Sequence, residues 1–509
     1  MTAAQATTGS WHTSEWYASR VRRTTVILTG LGITLAFAYA AAIALKRGDP
    51  LLLAPLAVAL VGLAVLARPT AGVYLLFGIA LLFEQTDVPG VAPLTDQSHV
   101  FQRMDMYSSI PIPLSVADLL MVLTLASLGV RWIAGRHAPL RLGPFGWAVA
   151  AYGSVFVFGA LIGIARGSAW SASAAIVELR GPLYLCLMYV LATNLILQRA
   201  QFAILTWVFV ILVGLKAIQA IWAYQEGLSL PYALDAATGH EDVVFFNLAL
   251  AMLVMGVLLG LRTKLTYALL ALSPLIVLAE LFAQRRVAFV ALGAVLLVIA
   301  LLALASHPRR AVVAMVLGAL AVGAYVPLFW DQDGPLAQPI RALRTAVEPT
   351  SVSTRDQYSN RWREVEIRNI EYTVQELPLT GVGVGQEMLF REEPGRLSFA
   401  YWRYWTHEAL LWLWLKAGPL GALAFWFLVA RVLLLGSALY ARLREPTLRW
   451  VAALPVALIA IQVTYSSIDM GLTHTRPMIV VGTMLGAAAF VFTADRLGRS
   501  SPPVPVVAK

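Results

Sequence analysis

Apolar residues in this chain neither alternate nor keep to one helical stripe; they come in runs of about twenty, split by short polar breaks. Wound as a helix at about 1.5 Å per residue, a run of that length crosses the ~30 Å hydrocarbon core of a bilayer. The pattern predicts spans at 24–45, 51–67, 71–84, 114–134, 145–165, 174–197, 201–224, 243–261, 265–283, 286–305, 311–329, 420–440, 450–467 and 475–494. The short runs 51–67 and 71–84 read as a hairpin or tilted pair, and 286–305 as a span or a continuation of its predecessor. The fold class expected is all-α: a polytopic integral membrane protein with about 12–14 transmembrane helices. It divides into an N-terminal segment 1–23, a helix bundle 24–329, a long polar loop 330–419, C-terminal helices 420–495 and a tail 496–509.

The polar breaks orient the chain. Arg and Lys collect at 67–70, 131–141, 198–200, 262–264, 307–310, 441–449 and 495–499, which the positive-inside rule makes cytoplasmic together with both termini. The long polar segments 84–111, 225–242, 284–286, 330–405 and 468–476 then share the outer face, so the chemistry is expected there. Composition agrees with a lipid solvent: 59% of the 509 residues are hydrophobic and 13% charged. The net charge of +10 sits in short inter-span loops, which argues against nucleic acid as partner. One cysteine, Cys186, excludes an internal disulfide and a thiolate metal site.

Several polar groups carry candidate chemistry. Gln284-Arg285-Arg286 joins two apolar runs without a spacer; guanidinium groups at membrane depth are costly unless they are paired or face a wet cavity. Arginine matches phosphate geometry bidentately, so the pair reads as a clamp for an anionic lipid headgroup, or as interfacial residues snorkelling outward. Glu178 and Arg180 lie inside a predicted span at a spacing that points them apart, either toward a ligand or into a salt bridge with another helix. The long loop holds nine arginines and no lysine. Within it, 354–376 reads as an amphipathic helix on which Arg361 and Arg368 share a face, and Arg361 stands out beside Trp362.

Thr406-His-Glu408 opens an apolar helix. Thr406 suits the N-cap and places His407 at the positive helix end, where the neutral ring is favoured and can accept a proton. Gly418-Pro419 stops that helix after about eleven residues, which makes 407–417 a re-entrant half-helix lining a protein cavity. The glycines of Leu377-Pro-Leu-Thr-Gly-Val-Gly-Val-Gly385, Gly383 and Gly385 among them, permit close backbone approach to a phosphate or sugar. Asp469, His474 and Arg476 complete the outer cavity or cap helices, and His240-Glu-Asp242 and Asp331-Gln-Asp333 lack supporting ligands at metal-site spacing.

Taken together, Gln-Arg285-Arg286-Val-Ala-Phe, Asn360-Arg361-Trp362, Pro378-Leu-x-Gly-x-Gly-x-Gly385 and the stretch His407 to Gly421 resemble the bacterial O-antigen ligase and polymerase superfamily over roughly 230–495. The resemblance implies a C-type glycosyltransferase-like fold. It implies an inverting enzyme, needing no metal or other cofactor, that passes a glycan from an undecaprenyl-pyrophosphate carrier to an acceptor hydroxyl on a glycan or lipid anchor. The site would face the exterior of the bacterial inner membrane. On this reading His407 assists the acceptor, and Arg286, Arg285, Arg180 and Arg361 hold the pyrophosphate. Glu408, Gly383, Gly385, Asp469 and His240 support them. Glu408 replaces the family's asparagine after the histidine. The ligases' loop arginine before Asn247 is absent; that loop offers His240, with Arg180 or Arg285 as substitute. A flippase of lipid-linked oligosaccharides is the alternative, since it too wants an arginine-lined cavity.

Overall fold

The computed structural model describes residues 54–492 apart from 87–92, 94, 108–111, 137, 168–169, 232–235, 333, 349–353, 394 and 396–400. The predicted span 24–45, the segment 1–23, the tail 496–509, Asp333 and Arg396 lie outside the described residues. The chain forms two compact units, Met1–Ala67 and Arg68–Lys509. In the first, helix α1 (Ala54–Ala67) is described.

The second unit is all-α among its described residues. Its helices are α2 (Pro69–Leu82), α3 (Val116–Ile133), α4 (Gly146–Arg166), α5 (Ala172–Leu195), α6 (Arg199–Gly227), α7 (Asp242–Leu258), α8 (Lys264–Phe282), α9 (Arg286–Leu304) and α10 (Pro308–Phe329). They continue with α11 (Gln338–Val347), α12 (Thr354–Glu376), α13 (Ala409–Arg442), α14 (Pro446–Ser466) and α15 (Thr475–Ala487). Among the described residues, 10 helices are long and apolar enough to cross a membrane, α15 being counted to Phe492; α2 and α7 are shorter apolar helices. The protein is a multi-pass membrane protein. Where they fall on described residues, the predicted spans match these helices to within about a turn, except that α13 takes in both the predicted half-helix 407–417 and the span 420–440; a run of apolar residues needs no partner to declare itself.

Two boundaries have local causes. Gln284 adopts a left-handed φ of 52°, so α8 and α9 are separate helices with Arg285 as the cap of the second. Gly418 (φ 63°, ψ −163°) breaks α13 one residue before Pro419. A Cβ there would lie 2.3 Å from the Leu379 carbonyl oxygen, so glycine is required on both counts.

At the core, α15 runs against α5 with small residues at the seam. A Cβ on Gly482 would sit 2.3 Å from the Leu185 carbonyl oxygen, and one on Gly486 would sit 2.6 Å from that of Tyr189. Such close backbone approach is how helices gain packing energy in lipid, where burying apolar surface gains little.

Candidate functional site

Arg285 and Arg286 leave the α8–α9 break toward the polar segment. Arg286 donates to Thr345 Oγ1 on α11 at 2.8 Å and to Asn360 Oδ1 on α12 at 3.1 Å, so one guanidinium joins three helices. Arg285 hydrogen-bonds His240 through that ring's Nε2, and His240 Nδ1 stands 3.6 Å from Asp469 Oδ2. Burial would raise the Asp469 carboxyl, but His240, His407 and Arg285 outweigh it and hold the group well below the usual carboxylate range.

Between these elements lies a cavity of about 90 Å³. Four arginines line it (Arg285, Arg286, Arg341 and Arg363), with Asp469 as the carboxylate in its wall and Gln284, Gln338 and Ser359 as neutral polar groups. Guanidinium groups in this number lining one cavity suit an anion.

His407 is reached along α12. Arg363 lines the cavity, and Glu366, one turn on, is buried and accepts from the His407 backbone N–H at 2.9 Å. Its other oxygen stands 3.3 Å from His407 Nδ1. Trp362 meets the imidazole edge-on with ring centroids 5.0 Å apart. Among the described residues Nε2 has no hydrogen-bond partner, and the ring is 22% exposed. Beside it, burial and the Glu366 carboxylate push Glu408 up to about 7 against the pull of Arg363.

Three expectations are corrected by this geometry. Thr406 is not the helix cap: its hydroxyl donates to the Glu408 carbonyl at 3.1 Å, and Glu408 is the residue before Ala409 opens α13. His407 therefore stands just outside the helix, anchored by Glu366 rather than by the helix end. Gly383 and Gly385 approach protein, not ligand. Val384 N–H donates to the Gly159 carbonyl at 2.9 Å, and a Cβ on Gly383 would lie 2.4 Å from the Gly163 nitrogen. A Cβ on Gly385 would lie 2.6 Å from Trp170 Nε1, and both glycines have positive φ. The glycine-rich segment is threaded between α4 and the first part of α13, where Val382 N–H reaches the Leu415 carbonyl at 2.7 Å. The third correction concerns Arg361, which is not in the cavity wall; it is 65% exposed and faces Glu364 and Glu392, the carboxylate that also takes Arg368.

Arg180 is held by Asp118 at 2.7 Å and the Phe101 carbonyl at 2.9 Å, a salt bridge to another helix and not part of the His407 group. Glu178, two residues earlier, pairs with Lys416 at 2.8 Å. Helix α7, one helix earlier in the chain than α8, begins at Asp242, with Asn247 inside it donating to the Ala288 carbonyl at 2.9 Å. Glu241 and Asp242 bind Arg476, which is wholly buried and so caps this cluster from within.

The matched stretch contains most of these groups. Residues 271–426 fit the family model described as O-antigen ligase. Over that stretch the chain is similar to an O-antigen ligase domain. The stretch holds Arg285, Arg286, Arg341, Arg363, Glu366, His407 and Glu408, while His240, Asp469 and Arg180 lie outside it. The match supports a membrane glycosyltransferase of the ligase or polymerase kind. No curated protein matches the chain.

Proposed function

We propose that the protein transfers glycan units from an undecaprenyl-pyrophosphate carrier to an acceptor hydroxyl, as a polymerase in preference to a ligase, since nothing in the chain marks a distinct terminal acceptor. One observation carries this reading: an imidazole with an open Nε2 is held by Glu366, which lies one turn along α12 from Arg363 in the wall of a chamber lined by four arginines.

The chemistry follows from that juxtaposition. As the acceptor oxygen attacks the anomeric carbon, the bond to the diphosphate breaks and its electron pair leaves with the phosphate oxygen. Fixed guanidinium groups stabilise that developing charge without having to reorganise, which is the main source of catalysis in sites of this type. Arg285, Arg286, Arg341 and Arg363 supply it here, so the counter-charge comes from side chains. His407 Nε2 takes the proton of the incoming hydroxyl. Attack opposite the leaving group inverts the anomeric centre. On the loop-charge argument the site faces the outside of the bacterial inner membrane, where the lipid-linked donor and a glycan or lipid-anchored acceptor would meet.

The test is transfer by purified protein in lipid, with a fluorescent undecaprenyl-pyrophosphate oligosaccharide as donor. The wild type yields a ladder if it is a polymerase or a single product if it is a ligase. His407→Ala and Arg286→Ala each remove at least about 100-fold of the rate, in line with loss of a general base or an electrostatic stabiliser. Donor that binds through Arg286 yet never leaves its carrier would overturn the reading in favour of lipid-linked glycan transport.

A further inference from the structure

The Glu366 carboxylate has an arrangement that a surface acid would not need. It lies on α12 with a side-chain exposure of 2%, and among the described residues both of its hydrogen bonds go to His407, one to the backbone N–H and one to Nδ1. Burying a carboxylate is costly unless its lone pairs are satisfied, and here one residue satisfies them. A carboxylate accepts and does not donate, so the proton shared with the ring sits on Nδ1. Nε2 is then the nitrogen with a free lone pair, and it is the one without a partner.

We propose that Glu366 is the positioning residue of His407, fixing the ring's orientation and the tautomer in which Nε2 receives the acceptor's proton. The inference rests on the reading of His407 as the base. In the step itself, the acceptor O–H proton passes to Nε2, the oxygen lone pair forms the new glycosidic bond, and the bond to the diphosphate breaks with its electron pair. Glu366 keeps the Nδ1 proton in place and gains attraction for the imidazolium as it forms, the role a buried carboxylate has behind the histidine of hydrolase triads. Trp362 closes the ring's other flank, and Asp469 and Glu408 are the further acids near it. Neither of those two hydrogen-bonds the imidazole, which singles out Glu366.

The alternative role for Glu366 is a staple between α12 and the turn before α13, and the two roles separate in kinetics. Glu366→Gln keeps the shape and an acceptor for the His407 N–H but offers an amide that also stabilises the wrong tautomer. By analogy with the Asp-to-Asn change in a serine-protease triad, which costs about 10⁴-fold in kcat, we expect a kcat loss of about 100-fold or more. KM for the fluorescent lipid-linked donor stays within about twofold and the thermal midpoint within about 2 °C, as for a loss confined to the transition state. Glu366→Asp, which keeps the charge but withdraws it by one methylene, recovers part of the lost kcat. If Glu366→Gln does not fold, Glu366→Asp alone decides, with a reduced kcat at unchanged KM as the expected result. Wild-type kcat in Glu366→Gln, or in the Asp variant when it alone is tested, overturns the inference. So does a loss that follows the thermal midpoint and donor binding together. Full transfer by His407→Ala would instead remove the reading of the base itself.

Discussion

Lys416 Nζ lies 2.8 Å from Glu178 Oε1, and neither side chain has any exposed surface. The pair is one knot in a larger tie. Glu178 Oε2 accepts from the Gly385 N–H at 2.6 Å, and Lys416 donates to the Gln386 carbonyl at 2.5 Å. The glycine-rich segment is thus fixed at once to α5 and to the first part of α13, the element that begins two residues after His407.

Removing one partner of a buried ion pair leaves an uncompensated charge, which costs about 3–5 kcal/mol, whereas removing both charges is far milder. Lys416→Met is therefore expected to be the more damaging change, and Lys416→Met combined with Glu178→Gln to recover more than half of the loss, since the glutamine oxygen can still accept from Gly385. Unfolding in detergent, followed for the single and double variants, checks this. A double variant as unstable as the single one would show that the Lys416 hydrogen bond to Gln386, and not the balance of charges, holds the segment.

Much of this fold was legible in the sequence, because long apolar runs report their own burial in lipid. The candidate site was legible in part. Arg285 and Arg286 stand out in the sequence as costly polar groups in apolar surroundings, and His407 as a lone histidine opening an apolar helix. Glu366 does not, because the buried face of α12 mixes Glu366, Asn369 and Thr373 with Val365 and Ile370, and a search for apolar periodicity passes over the polar residues. Asn369 uses its amide to hold the 391–392 backbone, with Arg391 and Glu392 N–H donating to its oxygen at 2.9 and 3.0 Å. The three glycines gave a correct signal of close approach but not its object, since sequence spacing does not show that Gly159 and Gly163 of α4 are what comes close. Arg361 and Arg363 differ by two positions, which on a helix is about 200° of rotation and the difference between solvent and cavity.

Glu408 makes stability depend on pH with a definite sign. Its ordinary value is 4.5 and burial beside Glu366 raises it to about 7 in the folded protein. A raised carboxyl favours the folded state while protonated, so its contribution is complete below about 4.5 and is lost as the pH climbs through about 7. Glu408→Gln stays neutral throughout. Its thermal midpoint should therefore match the wild type near pH 4.5 and exceed it by a widening margin up to about pH 8, beyond which the gap is constant. Midpoints measured at half-unit steps check the sign; a gap that is flat across this range would mean Glu408 ionises as an ordinary surface acid.

Two of the arginines of α12 offer a paired comparison on one helix. Arg363 lines the cavity with Arg285, Arg286 and Arg341, whereas Arg361 pairs with exposed carboxylates outside it. A hydrogen bond to a charged group contributes about 1.5–3 kcal/mol, so Arg363→Gln should raise the KM for the lipid-pyrophosphate donor by about 10- to 100-fold. An exposed ion pair contributes about 0–1 kcal/mol and nothing specific to the donor, so Arg361→Gln should leave KM within about threefold. Donor titrations on the two variants, with inorganic pyrophosphate as a competitor, decide the matter. Pyrophosphate should compete against the wild type and Arg361→Gln but weakly against Arg363→Gln. If instead the Arg361 variant loses donor affinity and the Arg363 variant keeps it, the donor approaches along the solvent face of α12, and the four-arginine chamber is not its site.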